Sequence, residues 1–144
     1  VHNTKGIISP ITIAGQPISG NWEMYQLPMS EVPDFTKLGN NNVFKNGSSQ
    51  ANRLKDCPVL YEGTFTLDET GDTFIDMEAW GKGIIFINGH NIGRYWKVGP
   101  QQTLYIPGVW LKKGENKIVI FEQLNETPMT EVKTVKTPIL MNLK

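Results

Sequence analysis

Apolar and polar residues alternate with a period of two over much of the chain. From Val59 to Leu67 the odd positions are Val59, Tyr61, Gly63, Phe65 and Leu67, and the even positions include Glu62, Thr64 and Thr66. Such a period sets one face of a strand on a core and the other in water. Residues 73–79 repeat the pattern, with Ile75, Met77 and Ala79 opposite Asp76 and Glu78. Gly83-Ile84-Ile85-Phe86-Ile87 is an unbroken apolar run, which predicts a strand buried on both faces. Lys117–Leu124 predicts a further strand, with Ile118 and Ile120 on one face and Val119 and Phe121 on the other. Weaker strands are predicted at Ile7–Ile13, Trp22–Leu27, Thr103–Ile106 and Glu131–Lys136. No stretch sustains the 3.6-residue period of an amphipathic helix.

Turn chemistry separates the runs. Glu69-Thr70-Gly71-Asp72 divides two strands, and Lys113-Gly114-Glu115-Asn116 precedes the last strong one. Asn88-Gly89 is a two-residue hairpin signal, because both residues tolerate a positive φ. Many short strands joined by Gly and Pro turns imply an antiparallel β-sandwich of jelly-roll type, expected here as a single all-β domain over residues 1–144. Residues 29–57 break the pattern with polar tracts such as Asn40-Asn41-Asn42, and are expected to form a long loop or insertion.

Composition narrows the function. The 14 basic and 14 acidic residues cancel, and Lys and Arg form no cluster, so neither nucleic acid nor an anionic membrane is an expected partner. The apolar runs are far shorter than a bilayer span. One cysteine, Cys57, excludes an internal disulfide and reads as a small buried hydrophobe. The chain starts at Val1 rather than Met, which suggests an excised or processed piece of a longer protein.

One stretch is specific. Gly81-Lys82-Gly83-Ile84-Ile85-Phe86-Ile87-Asn88-Gly89-His90-Asn91-Ile92-Gly93-Arg94-Tyr95-Trp96 continues through Gly99-Pro100-Gln101-Gln102-Thr103-Leu104-Tyr105-Ile106-Pro107 and ends near Leu111, Gly114-Glu115-Asn116 and Phe121-Glu122. This pattern resembles the C-terminal galactose-binding-like jelly-roll domain of glycoside hydrolase family 35 β-galactosidases, with Trp22-Glu23-Met24-Tyr25 extending the similarity upstream. The resemblance implies a non-catalytic accessory domain that packs against the catalytic barrel of a larger retaining β-galactosidase. It also implies a periplasmic, extracellular or lysosomal setting. The family's catalytic glutamates belong to a barrel of about 250 residues, which cannot fit in this chain.

The alternative is a carbohydrate-binding module for galactosides or related glycans. Arg94, Tyr95, Trp96 and Trp110 are its candidate residues, because aromatic faces stack on a pyranose while a guanidinium binds hydroxyls. Against it, Arg94 could simply pair with Glu122 or Asp76, and the aromatics could be core or interface anchors, as is expected for Trp22 and Trp80. Asp76 and Glu78 read as a solvated strand face rather than a catalytic pair. His2 and His90 are too few for a zinc site. Asp68, Glu69 and Asp72 suit a charged turn better than a calcium loop. No metal or cofactor is expected.

Overall fold

A computed structural model describes residues 10–26, 28–32, 34, 57–124, 129 and 131–140 in full and the backbone of 43–45. The expected architecture is present: two sheets face each other, antiparallel throughout except for one strand pair at the edge of the larger. The larger has five strands, β3 (Val43–Lys45), β4 (Val59–Leu67), β6 (Lys82–Ile87), β7 (His90–Trp96) and β9 (Gly114–Glu122). Their order is β3-β4-β9-β6-β7. The smaller holds β5 (Thr73–Asp76), β8 (Thr103–Ile106) and β10 (Lys133–Val135), with β5 in the centre. A separate ribbon joins β1 (Thr12–Ile13) to β2 (Gln16–Pro17).

The period of two explains the layers. Cross-strand partners share a face, so Ile75 opposite Leu104 and Thr73 opposite Ile106 turn inward together. They meet Ile85, Ile87, Ile118 and Ile120 of the larger sheet, with Met77, Trp80 and Leu111 closing the ends of the core. Each such side chain contributes about 1.5–3 kcal/mol when fully buried. Trp80 stands edge-on to Tyr61, with ring centroids 5.3 Å apart at 88°. Strand β6 is indeed covered on both faces. Its inward residues join this core, while Phe86 joins Leu60 and Val119 in a second cluster on the outer face. Met29 and Val32 pack on that second cluster, so part of the 29–57 segment covers the larger sheet.

Several boundaries differ from expectation. Of Trp22–Leu27, Leu27 lies outside the described residues, and residues 22–26 form no strand and are exposed, Trp22 included, because no strand among the described residues stands beside them. β5 ends at Asp76, since Trp80 N–H bonds to the Met77 carbonyl (3.0 Å) and turns the chain. Gly114–Asn116 are the first residues of β9 rather than a preceding turn. Val43–Lys45 adds a strand where a loop is expected, and it pairs parallel to β4. The expected strand at Glu131–Lys136 shrinks to Lys133–Val135. Of Ile7–Ile13, residues 7–9 lie outside the described residues and only Thr12–Ile13 is strand. Cys57 is exposed, not buried, because it precedes β4 rather than entering it.

Candidate functional site

The motif folds as the β6–β7 hairpin. Asn88 and Gly89 both take positive φ, 49° and 89°, and form the two-residue turn. The Asn88 side chain ties this turn to its surroundings. Its amide donates to the Trp110 carbonyl (2.8 Å) and to Asn116 Oδ1 (2.8 Å), and its oxygen accepts from Lys117 N–H (2.9 Å). Asn116 is itself buried, accepts from Lys112 N–H and donates to the Lys112 and Gly114 carbonyls. Two asparagines therefore lock the hairpin tip to the start of β9.

Along β7 the register shifts between Ile85 and Phe86. Ile85 faces Gly93 and Phe86 faces Asn91, which leaves Ile92 as an extra residue. Gly93 takes a φ of 128°, a value L side chains rarely adopt, and its N–H bonds to Asn91 Oδ1 (2.9 Å). The bulge fixes which side chains of the following Arg-Tyr-Trp turn inward. Tyr95 does, at 3% exposure, while Arg94 and Trp96 turn out.

Tyr95 meets a buried carboxylate. Its hydroxyl donates to Glu122 Oε2 (3.1 Å), which also accepts from Gly81 N–H (2.9 Å). Oε1 accepts from Lys82 N–H (3.0 Å) and Leu124 N–H (2.9 Å). Burial, then the adjacent Glu122 charge, pushes the Tyr95 phenol far above its ordinary value. The Gly-Lys-Gly element serves this cluster. A Cβ on Gly81 would come within 2.9 Å of Glu122 Oε1. One on Gly83 would collide with the Phe121 carbonyl and sit 2.5 Å from the Tyr95 hydroxyl. Only glycine admits the close approach.

The four candidate sugar-contacting residues do not converge. Tyr95 has no free ring face. Arg94 is exposed and does not reach buried Glu122, whose oxygens take backbone donors and Tyr95 instead. Asp76 Oδ1 accepts from Glu78 N–H (3.0 Å), so the expected Arg94 pairing with either acid is not formed. Trp96 is half-exposed, with the Lys82 ammonium 4.7 Å from its ring centroid. Trp110, in a 3-10 turn at Gly108–Trp110, stacks on His90 at 4.8 Å and 10°. His90 and Trp96 bound β7, so the part-buried Trp110 and the exposed Trp96 lie about 20 Å apart along the strand.

A cleft of about 640 Å³ opens between the sheets, lined by Tyr61, Phe65, Leu67, Ile75, Ile118 and Ile120 among others. Burial raises the Tyr61 phenol above its ordinary value. The carboxylates along the cleft are Glu62, Glu69 and Glu131. Glu62 pairs with Lys117 (2.9 Å) and Glu131 with Lys133 (3.5 Å), the pattern of surface charge rather than a poised acid and base. Among the described residues no three His, Cys, Asp or Glu side chains cluster as metal ligands. Asp72 instead accepts from Gly108 N–H (2.8 Å), and that bond, with the Tyr105 hydroxyl, lowers its pKa. No described helix is long and apolar enough to cross a membrane.

Fold and motif together define a jelly-roll sandwich of the galactose-binding type. Residues 58–116 match the family described as β-galactosidase, galactose-binding domain. The chain is 37% identical to β-galactosidase 1 of Dictyostelium discoideum over 96% of its own length and 20% of that relative. It is 36% identical to β-galactosidase 8 of Oryza sativa subsp. japonica, over 96% of the chain and 24% of the relative. It is also 36% identical to the human β-galactosidase-1-like protein 2, over 86% of the chain and 19% of the relative. The chain thus spans about a fifth of the length of these proteins.

Proposed function

We propose that the chain is a non-catalytic accessory domain of a β-galactosidase, packing against and supporting the catalytic barrel of a longer polypeptide that hydrolyses terminal β-linked galactose. The observation that carries this reading is the fate of the motif. Gly81, Gly83, Asn88, Tyr95 and Glu122 are all engaged in holding the hairpin to β9. Side chains committed to internal hydrogen bonds position a scaffold; they do not turn over substrate. The share of the relatives' length that the chain covers leaves ample room for a barrel elsewhere.

The stacked His90–Trp110 pair at the hairpin tip supports a second reading, a carbohydrate-binding module with Trp110 as its aromatic platform. Arg94 and Trp96 would then serve a separate contact. Calorimetric titration of the chain with galactose, lactose and longer galactosides, read in parallel by tryptophan fluorescence, separates the two. The accessory reading expects no saturable heat. Saturable binding that disappears in Trp110→Ala favours the module.

A further inference from the structure

The ribbon and the strandless segment after it form an arm, residues 10–26, that is exposed at every position but Ile11. Among the described residues, half of the strongly exposed large apolar side chains lie here: Ile13, Ile18, Trp22, Met24 and Tyr25. Trp22 is 62% exposed, Met24 84% and Tyr25 83%. The arm is shaped nonetheless. Ala14 and Gly15 form its turn with φ of 50° and 79°, and Ile18 N–H bonds to the Ile11 carbonyl at 2.8 Å. A two-stranded ribbon of this size is not stable alone in water. Apolar surface of this density on a soluble domain marks a contact.

Its chemistry selects the partner. Glu23 is the sole charged residue between positions 10 and 26, and it accepts a hydrogen bond from the Tyr25 hydroxyl (2.7 Å). An arm whose single charge is negative has nothing to attract it to phosphate or to an anionic membrane. Trp, Tyr and Met are the residues enriched where proteins bury surface against each other. The arm also lies outside the family match at 58–116, yet the similarity to a relative five times longer takes in 96% of the chain, arm as well as sandwich.

We propose that the arm is the docking element of the domain, seated in an apolar, uncharged groove on the remainder of the same polypeptide. This rests on the accessory-domain reading and assigns the docking surface it requires. The deciding experiment compares hydrogen exchange of residues 12–26 in the full-length polypeptide and in the 144-residue chain. The expected result is at least tenfold slower exchange in the full-length protein, lost in the Trp22→Ala/Tyr25→Ala double variant. That variant should also inactivate at a lower temperature, with kcat and KM for a galactoside unchanged. Equal exchange in the two proteins overturns the proposal. Protection that rises with concentration of the 144-residue chain overturns it in favour of a second copy. Protection by phosphatidylcholine vesicles overturns it in favour of a membrane. A full-length protein without galactosidase activity defeats the functional reading alone, because the exchange comparison is read independently of turnover.

Discussion

Replacing Glu122 should cost this domain a large part of its stability, and the amount should depend on what replaces it. Glu122 is 2% exposed and each of its oxygens takes two donors. Alanine would strand the N–H groups of Gly81, Lys82 and Leu124 and leave the Tyr95 hydroxyl only its long bond to the Phe121 carbonyl (3.4 Å). A buried donor without a partner costs about 1–3 kcal/mol. The three backbone groups are only part-buried, so the low end applies to them, and release of a desolvated charge offsets some of the loss. The expected cost is about 3–5 kcal/mol, comparable to the whole stability of a marginal domain. Glutamine keeps the shape and one accepting oxygen. Its NH₂ can donate to the Tyr95 hydroxyl, which rotates to accept, leaving Gly81 N–H opposed; about 1.5–3 kcal/mol is expected. Urea unfolding followed by tryptophan fluorescence measures both, with the slope m unchanged if only the folded state is affected. A Glu122→Ala loss below about 1 kcal/mol, or a glutamine variant no better than alanine, would refute the assignment of Glu122 as the acceptor that joins β6, β7 and β9.

Three further outcomes follow from the same contacts. Gly83→Ala should prevent soluble expression or lower the urea midpoint drastically, since the added methyl meets the Phe121 carbonyl, whereas Gly71→Ala, with open space around it, should change the midpoint little. Asn116→Ala should cost about 2–4 kcal/mol by leaving the Lys112 N–H and the Asn88 amide without their shared acceptor, and NMR should show the loss first at the Asn88–Gly89 turn. The Tyr95 phenol is raised in the folded state above its ordinary value of 10.0, so its contribution is complete below that pH and is lost as pH climbs beyond it, when the unfolded chain ionises first. Alkaline unfolding above pH 10 should therefore be less steep in Tyr95→Phe than in the wild type, and a parallel profile would remove Tyr95 from the account.

The layers were legible in the sequence because the inside of a sandwich imposes a period of two, and a strand covered on both faces breaks it in one recognisable way. Ile84–Ile87 carried that signature. The same rule failed at Trp22–Tyr25. Alternation reports that a segment could line a sheet, and says nothing about whether a neighbouring strand stands beside it. The site was harder to read for a geometric reason. Whether Arg94, Tyr95 or Trp96 points inward depends on the bulge at Ile85/Phe86, and Gly93 was its single trace in the sequence. Glu122 gave no local sign of its role. Two of its donors come from Gly81 and Lys82, 41 and 40 residues away, and pairing of β6 with β9 brings them to it. Cys57 misled because burial is a property of the strand it precedes and not of the thiol.

Hydrolysis of a chromogenic β-galactoside, assayed side by side for residues 1–144 and for the full-length polypeptide, bears most directly on whether this sandwich is scaffold or catalyst. Turnover confined to the longer protein is the expected result. Release of chromophore by the 144-residue chain above matched blanks, abolished by changing one of its own carboxylates, would contradict it.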